Sequence, residues 1–238
     1  VFILDEVKSV ISSGKKTVTL IEVKEMQKLI DTTFSEGFKK IKRNIYSDAY
    51  DLADVELDGQ VKLLQSMLDK YELKYKVRKP TKTKIKNNIK NSPVKGLTIS
   101  DWLDQWEMKV KALLRSSVYT SYGMSDKRVD IVEGLWEEDN PLVSDLLRVP
   151  TNHMNGLLLA IFDSAMAETT KEMTNVNPGL VEGYVWNSCL CTTTCISCAS
   201  LHGAIRYIDG EDETGGSEIP LHPNCLCVWV PLLRDAKR

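Results

Sequence analysis

Apolar residues recur every three or four positions over much of the chain, and only near its end does the period shorten to two. From Leu20 onward, Val23, Met26, Ile30, Phe34, Phe38, Ile41 and Ile45 fall on one face of a long helix. Gly37 lies inside that run and costs about 1 kcal/mol relative to Ala, which allows a bend. Asp58-Gly59 reads as a break, after which Val61, Leu64, Leu68 and Tyr71 begin a second stripe. Two such helices can close into a hairpin or keep an apolar face for a partner.

Another helical block opens at Ser100, an N-cap residue followed by Asp101 and Asp104, whose carboxylates suit the positive end of the helix dipole. Trp102, Trp106, Val110, Leu113, Leu114, Val118 and Tyr122 form its buried face, and Gly123 is its stop. Asn140-Pro141 can start a short helix through Leu147. Pro150-Thr151 then opens a longer one, striped by Met154, Leu157, Leu158, Ile161, Phe162, Ala165 and Met166 and ended by Asn177-Pro178-Gly179. Beyond Val181, the runs 184–186, 204–208 and 228–230 read as short strands, with turns at Asp209-Gly210 and Gly215-Gly216. The fold class expected is therefore α+β: mainly long α-helices with a small C-terminal β-subdomain packed on the helix over 151–174. Four segments follow: a helical region 1–73, a basic linker or loop 74–98, a second helical block 99–179, and a Cys-rich β-subdomain 180–238.

The 238 residues are enough for a real core, and 42% apolar with 27% charged side chains is ordinary globular usage. With 31 basic against 33 acidic side chains, the whole chain has no strong bulk pull toward nucleic acid or membrane. The longest apolar stretch, 156–162, is too short to span a bilayer. The start, Val1-Phe2-Ile3-Leu4-Asp5-Glu6, has neither an initiator Met nor the layout of a signal peptide, so secretion and membrane insertion are not expected and the numbering can begin inside a longer chain. Local charge is less even. Residues 74–95 hold nine basic side chains and no acidic one, which leaves 22 basic against 33 acidic elsewhere. Such a segment is a solvated loop, or it lies against a polyanion through contacts that weaken with salt; Lys79, Lys82, Lys84, Lys86 and Lys90 are its candidate nucleic-acid contacts.

All six cysteines lie in the last fifth of the chain. Cys195-x2-Cys198 is followed after 23 residues by His222-x2-Cys225-x-Cys227, two knuckle-like turns that can each present ligands to one tetrahedral ion. Soft thiolates with one imidazole and no open position suit structural zinc. Cys195, Cys198, His222 and Cys225 are the first ligand set; Cys227 in place of His222 is the main rival and His202 a weaker one. Disulfides, or reduced thiols without metal, are the other readings. Cys189 and Cys191 flank Leu190 and read as buried strand residues. Catalytic signals are thin. No phosphate-cradling glycine loop, paired-histidine helix or nucleophile elbow occurs. His153 reads as a surface or cap residue, and Glu137-Glu138-Asp139 and Glu211-Asp212-Glu213 as solvated acidic runs, so no enzyme activity is expected.

The run from Tyr184-Val185-Trp186 through Thr194-Cys195-Ile196-Ser197-Cys198 and Leu201-His202-Gly203 to His222-Pro223-Asn224-Cys225-Leu226-Cys227 resembles the phage Mu F-like minor head protein (head morphogenesis) family. The resemblance covers roughly residues 150 to 232, including the helix placed before Trp186. Cys191 stands where that family usually has Asp, and Leu226 where a basic residue is common. The resemblance implies a minor capsid protein of a tailed bacteriophage that associates with the portal protein or major capsid protein inside the head and acts in head morphogenesis and in DNA packaging or ejection. It implies a virion location, host cytoplasm during assembly, no membrane partner at that stage, and packaged DNA near the basic segment. A zinc-containing nucleic-acid-binding protein and a head-borne effector enzyme are the alternatives.

Overall fold

The computed structural model describes residues 2–13, 17–94, 96–128, 131, 141–210, 212–222 and 225–234. Long helices come first and a small antiparallel sheet closes the chain. The helices are α1 (Phe2–Ser12), α2 (Leu20–Lys70), α3 (Lys82–Asn91), α4 (Ile99–Met124), α5 (Pro141–Val176) and the short α6 (Ile196–Ser200). Strands β1 (Pro93–Val94) and β2 (Leu97–Thr98) form a minimal hairpin, while β3 (Val181–Asn187), β4 (Ile205–Tyr207) and β5 (Val228–Leu233) make one three-stranded sheet in the order β4-β3-β5. Among the described residues, no helix is long and apolar enough to cross a membrane. Lys95, Glu137-Glu138-Asp139, Asn140, Glu211 and Pro223-Asn224, which figure in the sequence reading, lie outside the described residues.

The chain divides into two compact units. The first comprises Val1–Asn44 and Trp102–Asn155. The N-terminal part of α2 buries Val23, Met26, Ile30, Phe34 and Phe38, as its stripe requires, whereas Ile41 is exposed. Thr19 caps the helix: its hydroxyl accepts from the Glu22 N–H while the Glu22 carboxylate accepts from the Thr19 N–H, a reciprocal capping box. Phe34 and Phe38 pack on Trp106 with ring centroids 6.0 and 5.0 Å away, and Leu103, Val110, Leu114 and Val118 carry the rest of the α4 face. Lys111 bonds both Ser35 and Glu107, closing a small polar cluster beside those rings. Leu113, assigned to the buried face by spacing, is exposed; Leu103 takes that role instead. His153 sits in mid-helix with its ring edge-on to Trp102 at 6.1 Å, so it packs rather than caps.

The second unit comprises Ile45–Asp101 and Gly156–Arg238. Here three expectations change. The break at Asp58-Gly59 is absent, because Ala49, Ala53, Leu57, Leu64 and Leu68 continue one buried stripe across it. A glycine penalty of about 1 kcal/mol is small beside the burial of several such side chains. The basic segment is not a plain loop, because Ile85 and Ile89 are buried four residues apart and fold it into α3. Its lysines point outward: Lys79 pairs with Asp58 at 3.1 Å, Lys82 with Asp54 at 2.6 Å and Lys84 with Glu172 at 2.7 Å, while Lys86 lies 5.0 Å over the Tyr50 ring. The cap of α4 is Thr98, not Ser100: the Thr98 hydroxyl and N–H both donate to Asp101, whose own N–H donates back to Thr98.

The expected pair of helices over 141–147 and 151–174 is also one helix, α5, running through Pro150. Proline removes one i to i−4 bond from the helix at that turn. From Gly156 to Thr174 this helix is buried on most sides, and its threonines bond backward, Thr169 to the Ala165 carbonyl at 2.7 Å and Thr170 to that of Met166 at 3.1 Å. Asn177 ends it and clamps the segment before α3: its side chain accepts from the Arg78 N–H at 2.8 Å and donates to the Arg78 carbonyl at 2.9 Å. In the sheet, Tyr184 faces Arg206 across one ladder and Trp186 faces Trp229 across the other. Gly183 is required where β3 meets β4, because a Cβ there would stand 2.4 Å from the Arg206 carbonyl oxygen. Lys171 of α5 pairs with Glu168 and Glu218, and Glu218 with Arg206, which ties the helix to the hairpin by charge.

Candidate metal centre

The sheet sets the floor of the site. Trp186 and Trp229 are buried and meet edge to face with centroids 5.1 Å apart, and Tyr184 abuts Trp229 at 4.6 Å. Around this aromatic floor, Ala167 of α5, Ile219 and the sulfurs of Cys198, Cys225 and Cys227 form one buried cluster. Strand β3 stops at Asn187, and the chain returns through a turn into α6. Cys195 is the N-cap of α6; its sulfur accepts from the Cys198 N–H at 3.3 Å, so one turn delivers two sulfurs to the same place. The second turn is closed by the Cys225 N–H donating to the His222 carbonyl at 3.1 Å, which aims His222 and Cys225 at the first pair.

The two turns meet. His222 Nε2 lies 3.1 Å from Cys195 Sγ and 3.2 Å from Cys198 Sγ, and Cys198 Sγ lies 3.8 Å from Cys225 Sγ. All five sequence candidates fall into two overlapping sets of mutually close donor atoms: Cys195, Cys198 and His222, and Cys198, Cys225 and Cys227. Cys198 belongs to both. A cavity of about 10 Å³ opens between them, lined by Cys189, Thr194, Cys195, Cys198, His222 and Cys227. That is room for one water-sized sphere. These Cys/His groups of the C-terminal subdomain can therefore hold a metal ion. His202, the weaker rival, belongs to neither set; it is exposed, and its Nδ1 accepts from the Ser188 N–H at 3.1 Å.

The protonation of the thiols follows their surroundings. The Cys198 N–H bond, with His222 beside it, brings the Cys195 thiol down to about 7 despite partial desolvation. Burial, then the neighbouring Cys225, pushes Cys198 up to about 12. Cys225 donates toward Cys227, which raises the first and lowers the second. Cys198 and Cys225, the buried thiols that resist ionisation, would be stabilised as thiolates by a cation placed among them. Asp163 of α5, which spacing alone did not single out, belongs to neither donor set but lies close enough to feel the charge of His222. It is 6% exposed, one carboxylate oxygen has no hydrogen-bond partner, and burial raises its pKa to about 7 although the charge of His222 pulls it down.

Cys189 and Cys191 are not the buried strand residues their alternation suggested. Both are exposed, because β3 has already ended and Leu190 adopts a left-handed φ of 52° that breaks the alternation. No protein-family model, no curated protein and no solved structure matches this chain.

Proposed function

We propose that the C-terminal cluster binds one structural zinc ion and that the chain acts as a minor head protein of a tailed bacteriophage, by docking and not by catalysis. The observation that carries the zinc reading is the convergence of two turns, 27 residues apart in sequence, on one small cavity. Zinc–sulfur bonds of about 2.3 Å place tetrahedral sulfurs ~3.8 Å apart, which is the Cys198–Cys225 separation of 3.8 Å. Sulfur and nitrogen ligands would stand ~3.6 Å apart, so the His222 ring at 3.1 and 3.2 Å has only to back off slightly. Cys195, Cys198, Cys225 and His222 are the preferred ligands, with Cys227 held against Ser188 at 3.7 Å as the rival fourth. A closed set of this kind stabilises the fold and leaves no position for a catalytic water.

The phage-head reading rests on the Thr-Cys-x-x-Cys and His-Pro-Asn-Cys-x-Cys turns together with the helix that precedes Trp186. In it, the zinc-stapled module docks on the portal or shell, and packaged DNA is the neighbour of the basic segment. Because Lys79, Lys82 and Lys84 already pair with carboxylates, a phosphate would have to compete for them. The DNA contact is therefore modest and strongly salt-dependent. The test is chemical cross-linking of intact particles followed by peptide identification. Cross-links to a portal ring, with protection from protease until the capsid is opened, support the proposal. Recovery of the chain only outside particles, with no portal cross-link, overturns it.

A further inference from the structure

The cysteine pair that the zinc reading leaves unused has its own geometry. Cys189 and Cys191 are both exposed, two residues apart, and close enough that each thiol perturbs the ionisation of the other. The left-handed Leu190, φ 52°, is the residue that turns the chain between them. The loop is fixed on its far side as well. The Cys191 N–H donates to Thr194 Oγ1 at 3.0 Å, and the Thr194 N–H donates to the Cys191 carbonyl at 3.0 Å. Cys191 Sγ lies 3.2 Å from Thr193 Oγ1 and 3.5 Å from Thr194 Oγ1, so two hydroxyls can donate to a thiolate there. By contrast, Cys198, Cys225 and Cys227 are buried. Reactive sulfurs are those that are both accessible and stabilised as thiolates.

We infer that Cys189 and Cys191 form a thiol–disulfide site, in which Cys191 is the nucleophile toward hydrogen peroxide and Cys189 the resolving thiol. The Cys191 thiolate attacks one peroxide oxygen; the S–O bond forms as the O–O bond breaks, and hydroxide leaves. The product is a sulfenic acid on Cys191. Cys189 sulfur then attacks the Cys191 sulfur, the S–S bond forms as the S–O bond breaks, and the leaving hydroxide takes the Cys189 proton to become water. Two thiols are oxidised by two electrons, and one peroxide is reduced to two waters once the first hydroxide is protonated. The adjacent Cys189 thiol and the Thr193 and Thr194 hydroxyls also bring the Cys191 thiol down to about 6, in keeping with this assignment of roles.

The inference stands apart from the zinc reading, and one experiment keeps them separable. The full chain is treated with stepwise hydrogen peroxide, and free thiols, zinc content and disulfide positions by peptide mapping are read from the same samples. The expected first product is a Cys189–Cys191 disulfide, with two thiols lost, zinc content unchanged from its starting value, and full reversal by a phosphine reductant. Cys189→Ser abolishes the disulfide and leaves a dimedone-trappable sulfenic acid on Cys191. Cys191→Ser slows the first oxidation at least about tenfold. If the first disulfide instead involves Cys195 or Cys198, or if Cys191→Ser oxidises at the parent rate, the inference is wrong. A chain that holds no zinc yet still forms the Cys189–Cys191 bond would sink the zinc reading alone.

Discussion

Cys198 is the one donor common to both ligand sets, so replacing it is the most informative single change to the site. Structural zinc binds with an apparent ~10–16 kcal/mol in small metal-dependent domains, or roughly 2.5–4 kcal/mol per ligand if shared among four. Cys198→Ser should therefore weaken zinc binding about 100- to 1000-fold. It also removes the sulfur that reaches the second turn, since Cys198 Sγ lies 3.2 Å from His222 Nε2 and 3.8 Å from Cys225 Sγ. Cys227→Ser touches only one of the two sets, and under the preferred ligand assignment its effect is less than about tenfold. Competition against a chromophoric chelator gives the affinities. Near-ultraviolet circular dichroism reports whether the Trp186–Trp229 pair stays ordered. If Cys198→Ser binds zinc as tightly as the parent, the convergence of the two turns has no metal-binding meaning.

Three further outcomes test the fold. Gly59→Ala should stabilise the protein by about 0.5–1 kcal/mol in urea titration, because position 59 is helical and a Cβ there meets nothing within 4 Å. A loss of stability would mean that α2 does break at this point. Thr98→Ala should cost about 1 kcal/mol by the same assay, since it removes the hydroxyl that exchanges bonds with Asp101; Ser100→Ala should cost much less. Burial opposes ionisation of Glu107, but the hydrogen bonds from Ser35 and Lys111 outweigh it and hold the carboxyl below its ordinary 4.5. Because the folded value is the lower one, that stabilisation is present above about pH 4.5 and disappears as pH falls through the folded value. Between pH 6 and pH 3, Glu107→Gln should consequently lose less stability than the parent.

The helices were legible where large side chains mark the stripe, as at Val23, Met26, Ile30, Phe34 and Phe38. They were misread where the stripe is carried by alanine. Ala49 and Ala53 connect the two halves of α2, yet each is too small to stand out against the local breaker Asp58-Gly59. Helix α3 was hidden for a different reason: four lysines surround the single pair Ile85 and Ile89, and charge dominates any reading of so short a window. The metal-type turns were legible because their spacing is local chemistry. What spacing cannot supply is a residue brought in from a remote element, as with Asp163 on α5, or a backbone reversal such as that at Leu190. An acid inside a helix otherwise rich in buried positions was the available signal for Asp163. A left-handed Leu has no such signal, since its conformation is imposed by the turn around it.

X-ray absorption at the zinc edge on the purified full chain tests the central claim most directly. The account predicts one zinc per chain in a closed four-coordinate shell of three sulfurs at about 2.3 Å and one imidazole nitrogen at about 2.0 Å. A chain purified with no bound metal, or a shell dominated by oxygen ligands, would contradict it.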